Sequence, residues 1–212
     1  EKSLDQQSAH FIFGSTYVEL SEVTRPGPDH HLGAWLGDEP AIRILILRAA
    51  DIDAVREQAV ASGQDPTPVG EASRALHYAD GATARFKWLA LPPESFPEAL
   101  CGYVQHLTPE LVFWREMNAH PNGAVELTGM TLHAADTRDA ERRFEPLGRA
   151  GAPESLEIRQ AEGDASGFTV LHLRTRSLNR TADTLAAAGK PFTRDAARLT
   201  VPAPGVLLEF HE

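Results

Sequence analysis

The chain has 212 residues, 42% of them apolar and 24% charged, with a formal charge of −10 at neutral pH. Such a composition supports a buried core, and an acidic surface repels phosphate backbones, which argues against a nucleic-acid partner. The single cysteine, Cys101, excludes an intrachain disulfide and suits a cytoplasmic protein. The run "AIRILILRAA" (41–50) is broken by Arg43 and Arg48 and falls short of the roughly 20 residues a membrane span needs, so no membrane partner is expected. No signal peptide is legible. The sequence opens at Glu1 without a Met, so upstream sequence is expected to be missing.

In chain order, the first clear strand is "TYVEL" (16–20), which carries Glu19 in an apolar run. "AIRILILR" (41–48) is a second strand, and it leads into a helix between an N-cap at Asp51 and a stop at Gly63. "FKWLAL" (86–91) reads as a strand with Phe86 and Trp88 on one face and Lys87 on the other. "GYVQHL" (102–107) is the next strand. "HPNG" (120–123) combines a Pro with an Asn-Gly turn and reads as a connector. After it come "GMTLHA" (129–134), a helix from Asp136 to Gly148, and "SLEI" (155–158). The last set is "FTVLHLRT" (168–175), a helix from Ser177 to Gly189, and "VLLEF" (206–210).

The three helices share one design, with cap and terminal glycine twelve positions apart in each. The repeated unit is a strand, a helix and a few antiparallel strands. "TYVEL" closes an earlier unit whose leading strand and helix lie outside this sequence. The third unit is short, because Glu157 follows Gly148 by nine positions, so it is expected to have lost strands.

Side chains alternate along a strand. In the leading strands Leu45, Leu47, Met130, Leu132, Leu171 and Leu173 form the face expected to pack under the helices. Ile44, Ile46, Arg48, Thr131, His133, Val170, His172 and Arg174 take the other face. In the closing strands Val18, Leu20, Leu156, Ile158, Leu208 and Phe210 are expected on the covered side. Tyr17, Glu19, Glu157, Arg159, Glu209 and His211 fall on the polar side, with Tyr103 and Gln105 as their counterparts in "GYVQHL". Tyr, His, Arg and Glu mixed with Ile and Trp suit the wall of a pocket more than a plain solvent face.

The order and spacing of these segments resemble the vicinal oxygen chelate superfamily, which holds the glyoxalases, bleomycin-resistance proteins and extradiol dioxygenases. "TYVEL", "RILILRAADIDAVREQAVASG", "FKWLAL" and "HLTPE…AHPNGAVELTGMTLHAAD" are more narrowly similar to its glyoxalase-like domain branch. The resemblance covers most of residues 8–148, and residues 167–212 look like one further unit. It implies an α+β fold in which βαβββ units pair into cupped mixed sheets with helices outside. It also implies a divalent metal (Fe, Mn, Zn or Ni) held in the cup by His and Glu. The carboxylate positions carry over to Glu19, Glu157 and Glu209. The family's first-strand His positions fall on Ile44, Gly129 and Val170, which are not ligands; His133 and His172 lie on the same face as displaced candidates.

Two functions follow as expectations. One is a metal-dependent enzyme of the lyase, isomerase or dioxygenase type acting on a small oxygenated organic molecule. Glu19 would be its ligand or base, Glu209, His133 and His172 further metal ligands, and Tyr17, Arg48, Trp88 and Gln105 the pocket lining. The other is a metal-free protein that binds or sequesters a small molecule in the same cup. Glu19 could instead be a charge paired with an arginine such as Arg48. His30 and His31 read as loop residues, and Cys101 as a buried thiol rather than a nucleophile served by His106. The expected organisation is a first half at 1–118, a linker at 119–123 and a second half at 124–212, in a monomer or homodimer.

Overall fold

The computed structural model describes residues 6–25, 27, 30, 32–33, 35–76, 81–148, 155–162 and 166–212. The chain opens with strands β1 (Gln6–Phe13) and β2 (Thr16–Val23). Next come β3 (Ile44–Arg48), α1 (Ile52–Ala61), β4 (Gly70–Ala75), β5 (Thr83–Ala90), β6 (Leu100–His106) and the short α2 (Pro109–Val112). The second half holds β7 (Ala124–Ala134), α3 (Thr137–Gly148), β8 (Ser155–Gln160), β9 (Gly167–Thr175), α4 (Leu178–Ala187), β10 (Thr193–Arg194), β11 (Leu199–Ala203) and β12 (Val206–His211).

The helix starts are those expected from side-chain capping of orphan backbone N–H groups. Asp51 accepts from the amides of Asp53 and Ala54, Asp136 from Asp139, and Ser177 from Arg180. Gly63 and Gly189 adopt φ values of 83° and 63° just past α1 and α4, where a Cβ would strain the backbone. Among the described residues no helix is long and apolar enough to cross a membrane.

The strands form a hairpin (β1-β2), a four-stranded sheet in the order β3-β6-β5-β4, and a six-stranded sheet in the order β10-β11-β12-β9-β7-β8. In every unit that has both, the leading strand pairs in parallel with the closing one: β3 with β6, β7 with β8 and β9 with β12. This is the α+β arrangement of βαβββ units. The short third unit keeps its leading and closing strands, β7 and β8, side by side. β7 and β9 then pair antiparallel and join units three and four into one sheet.

One large core spans residues from both sides of position 118. Leu45, Leu47, Ile52, Leu89, Phe96 and Tyr103 meet Met130, Leu132, Phe144, Leu147, Phe168 and Leu171. Phe144 stands edge-on to both Phe96 and Phe168. Beside this core, Arg143 of α3 makes a two-pronged ion pair with Glu98, at 2.6 and 2.8 Å, and also reaches Asp139 at 2.7 Å. The Glu98 side chain is 3% exposed, and that guanidinium is its ion-pair partner. Residues 119–123 are also tied down: Asn122 O accepts from Thr181 Oγ1 at 2.7 Å, and Pro121 O accepts from Arg180 Nε at 3.2 Å.

Two expectations about faces are corrected. Leu20, expected on a covered side, is 59% exposed, and Phe11 on the same hairpin is 44% exposed. Tyr103 and Gln105 face the helix side of β6, because Tyr103 lies in the core with Ile52 and Gln105 Oε1 accepts from the Ile52 amide at 3.2 Å. The pairing register gives the reason. Thr131 and His172 each precede their helix cap by five positions, as Ile46 does, and they pair with Glu157, Glu209 and Gly102 respectively. The counterpart of the two glutamates in β6 is therefore Gly102, not Gln105. No side chain fits there: a Cβ on Gly102 would sit 2.3 Å from the carbonyl oxygen of Leu89.

Two substitutions probe this frame. Arg143→Ala leaves the Glu98 carboxylate buried and unpaired, and is expected to cost about 3–5 kcal/mol in urea unfolding. Gly102→Ala forces β5 and β6 apart and should cost about 1–3 kcal/mol, with little change in the denaturant slope.

Candidate functional site

The first candidate lies on the face of the four-stranded sheet away from α1. Directly paired residues point the same way, so the register assigns this face. Arg48 pairs with Val104, Trp88 with Val104, Phe86 with His106, and Arg74 with Ala84. Arg48, Arg74, Phe86, Trp88 and His106 therefore share one wall. Trp88 has room because its partner is Gly70, where an added Cβ would lie 3.1 Å from the indole nitrogen.

The β1-β2 hairpin supplies the opposite wall. His10 is directly across from Glu19, and His10 Nε2 lies 3.2 Å from a Glu19 oxygen. Ser21 Oγ donates to the other oxygen of Glu19 at 2.9 Å. Arg74 Nη1 donates to His10 Nε2 at 2.8 Å and so ties β4 to the hairpin. A guanidinium can only donate and a carboxylate can only accept. Nε2 thus serves one neighbour at a time, as a lone pair for Arg74 or as an N–H for Glu19. Tyr17 sits 6.1 Å, ring to ring, from His106. Phe113, just past α2, stands edge-on to His106 at 5.1 Å, with the Arg48 guanidinium 5.8 Å from its ring centre.

Burial alone would raise the proton affinity of Glu19, but hydrogen bonds from His10 and from Ser8 and Ser21 outweigh it and bring the pKa down to about 2. That carboxylate is a fixed negative charge and a poor general base at neutral pH. His106 moves the other way for a base: burial, then the charges of Arg48 and Arg74, lower its pKa to about 4, so the ring is neutral. Its Nδ1 is buried without a hydrogen-bond partner among the described residues. Burial, and next the charge of Glu19, raise the Tyr17 pKa, so its hydroxyl keeps its proton.

The second candidate is a row across the polar face of the six-stranded sheet. Arg198 reaches Glu209 at 3.2 Å, and Glu209 accepts from His172 Nδ1 at 3.1 Å. His172 Nε2 lies 2.8 Å from Thr131 Oγ1, and that hydroxyl is 3.3 Å from Glu157. Arg159 holds both Glu157 oxygens at 2.8 Å. Carboxylate, imidazole and hydroxyl stand in the order a hydroxyl nucleophile requires, but the buried Thr131 hydroxyl is already engaged by both His172 and Glu157. His133 lies outside the row and contacts Thr169 Oγ1 at 3.1 Å.

The site residues expected from sequence thus divide. Tyr17, Glu19, Arg48 and Trp88 come together at the first cup, while Gln105 faces the helix. His172 and Glu209 meet on the second sheet with Glu157, far in sequence from Glu19, and His133 stands apart. His10, Arg74 and Phe113 were not foreseen; a hairpin turn at Gly14 would have set His10 opposite Glu19. The Glu19 partner is His10, with Arg74 behind it, rather than Arg48. His30 uses Nδ1 to accept from the Leu32 amide in its own loop, and His31 lies outside the described residues. Cys101 has its pKa raised by burial and by Glu98, and it points to the core while His106 points to the cup.

The divalent metal implied by the resemblance does not fit these side chains. Among the described residues no three His, Cys, Asp or Glu side chains converge as a ligand set. In the second row Thr131 stands where a further imidazole would be needed, and both carboxylates are held by arginines, which compete with a cation. In the first cup the β6 carboxylate position is Gly102, and Glu19 is engaged by His10 and Ser21.

A sequence profile described as a glyoxalase-like domain matches residues 2–148. No curated protein matches the chain in sequence. Among solved structures, a hypothetical protein from Staphylococcus aureus superposes with a TM-score of 0.71 at 9% identity, covering 98% of this chain and 85% of that one. Homoprotocatechuate 2,3-dioxygenase from Arthrobacter globiformis gives 0.51 at 13% identity, and the match covers 82% of this chain and 62% of that enzyme. An Mn(II)-bound glyoxalase from Novosphingobium aromaticivorans gives 0.45 at 16% identity, covering 82% and 63%. At these identities the similarity concerns the fold.

Acid titration separates Glu19 from His106 at the first cup. The unfolded chain protonates histidine below about 6.5, the folded chain only near 4, so His106 removes stability as pH falls through that window. Glu19 acts lower, between about 4.5 and 2, where its stabilisation is lost. His106→Gln should flatten the upper window, by on the order of 2 kcal/mol, and Glu19→Gln the lower one, in urea unfolding measured across pH.

Proposed function

The chain belongs to the glyoxalase-like domain family of the vicinal oxygen chelate superfamily, and on that premise we propose that it binds a small organic molecule in the first cup without a metal. The observation that carries this reading is the wall itself. Arg48, Arg74, Trp88, Phe86 and His106 converge with Tyr17 and Phe113, whereas the carboxylates a metal would need are occupied by arginine, histidine or serine partners. Aromatic side chains supply contact area at low entropic cost, and a few polar groups orient the ligand. Glu19 fixes His10 and the hairpin instead of ligating a cation.

A second reading keeps the metal-dependent enzyme. It is favoured by one observation: Glu157, His172 and Glu209 share a face of the second sheet, as a lyase, isomerase or dioxygenase of this superfamily would arrange them. It requires Arg159 and Arg198 to release their carboxylates.

The two readings separate by nuclear magnetic resonance on isotope-labelled protein titrated with a mixture of small oxygenated aromatic fragments. The expected outcome is that resonances of Phe113, His106 and the Trp88 indole shift, equally before and after EDTA treatment. Shifts that arise only after addition of diamagnetic Zn(II) and centre on His172 and Glu209 would replace the first reading with the second.

A further inference from the structure

The charge pattern of the first cup narrows what it binds, granted the reading above. The protein carries ten more acidic than basic side chains. On the second sheet, arginines on the polar face are matched to carboxylates: Arg159 to Glu157, Arg174 to Glu126, and Arg198 to Glu209. Arg48 and Arg74 break that pattern. Among the described residues neither forms an ion pair with a carboxylate; Arg48 lies over Phe113, and Arg74 spends one N–H on the His10 ring. An acidic chain has carboxylates to spare, so two guanidiniums on one face of the sheet, unmatched among the described residues, leave their fork-shaped donor sets open to an incoming anion.

Their surroundings set the shape of that anion. Phe86, Phe113 and Tyr17 surround His106 with ring centres 5.1–6.4 Å away, and Trp88 lies on the same wall. Flat side chains favour a flat ligand. His106 Nδ1 is buried between them with no partner among the described residues, an unmet hydrogen bond that costs free energy until a ligand atom satisfies it. We infer that the cup takes a planar organic carboxylate, its anionic group on Arg48 and Arg74, its ring against Phe113 and its neighbours, and a ring hydroxyl on His106.

Calorimetric titration of the full chain with 4-hydroxybenzoate and its neutral isostere 4-hydroxybenzamide tests this. The acid is expected to bind at least about 10-fold more tightly than the amide, since hydrogen bonds to charged groups carry roughly that preference. Arg48→Gln and Arg74→Gln should each remove most of the preference, and Arg174→Gln on the other sheet should leave it intact. Benzoate, lacking the hydroxyl, should bind more weakly than 4-hydroxybenzoate, and His106→Phe should erase that difference. Equal affinity for acid and amide overturns the anion inference and leaves the cup reading standing. A preference that survives both cup variants and falls with Arg174→Gln overturns the placement. Binding of neither compound overturns the anion inference, while the fragment map judges the cup separately.

Discussion

Parallel pairing between a unit's leading strand and its closing strand is the constraint on which the rest of this protein depends. It brings residues from opposite ends of a unit into one row, and the same pairing decides which face each side chain takes. His172 meets Glu209, Thr131 meets Glu157 and Ile46 meets Gly102 by the same rule. A one-residue error in that register would turn the polar rows into the core and the leucines into solvent.

That geometry produces two faces with opposite electrostatic character. On the six-stranded sheet, Arg198 neutralises Glu209 and Arg159 neutralises Glu157, with His172 and Thr131 hydrogen-bonded between the two pairs. Such a row orders the sheet surface and leaves little for a ligand to satisfy. The cup over the four-stranded sheet is different. It combines aromatic rings with a neutral imidazole and two guanidiniums, and among the described residues one imidazole nitrogen has no hydrogen-bond partner and neither guanidinium has a carboxylate. The hairpin closes it through the Glu19, His10 and Arg74 contacts, which hold the two walls together.

Much of this was legible along the chain because it rests on short-range rules. The caps at Asp51, Asp136 and Ser177 act within a few residues of themselves, and the glycines past α1 and α4 are demanded by local backbone angles. The recurrence of cap and stop revealed the units, and in the third, expected from the short gap after Gly148 to have lost strands, β7 and β8 lie side by side. Alternation set Tyr17, Glu19 and Arg48 opposite the apolar face of their strands, and the pairing register puts Arg48 on one wall with Trp88. Gln105 was misplaced because its string looked like those of Glu19 and Glu209, whereas position in the ladder depends on a partner strand over fifty residues away. His10, Arg74 and Phe113 carried no motif; each became part of the cup through contacts with distant segments.

The sequence by itself determined the unit, its repetition, its helix limits and the face on which its carboxylates lie, because capping, turn chemistry and alternation act between near neighbours. The tertiary structure alone decided which charges meet. Arginines take the carboxylates of the second sheet, His10 and Ser21 take Glu19, and a backbone carbonyl leaves Gly102 no room for a side chain. Electrostatic partnership depends on separation in space and on what else competes for the same oxygen, and only the packed strands set both.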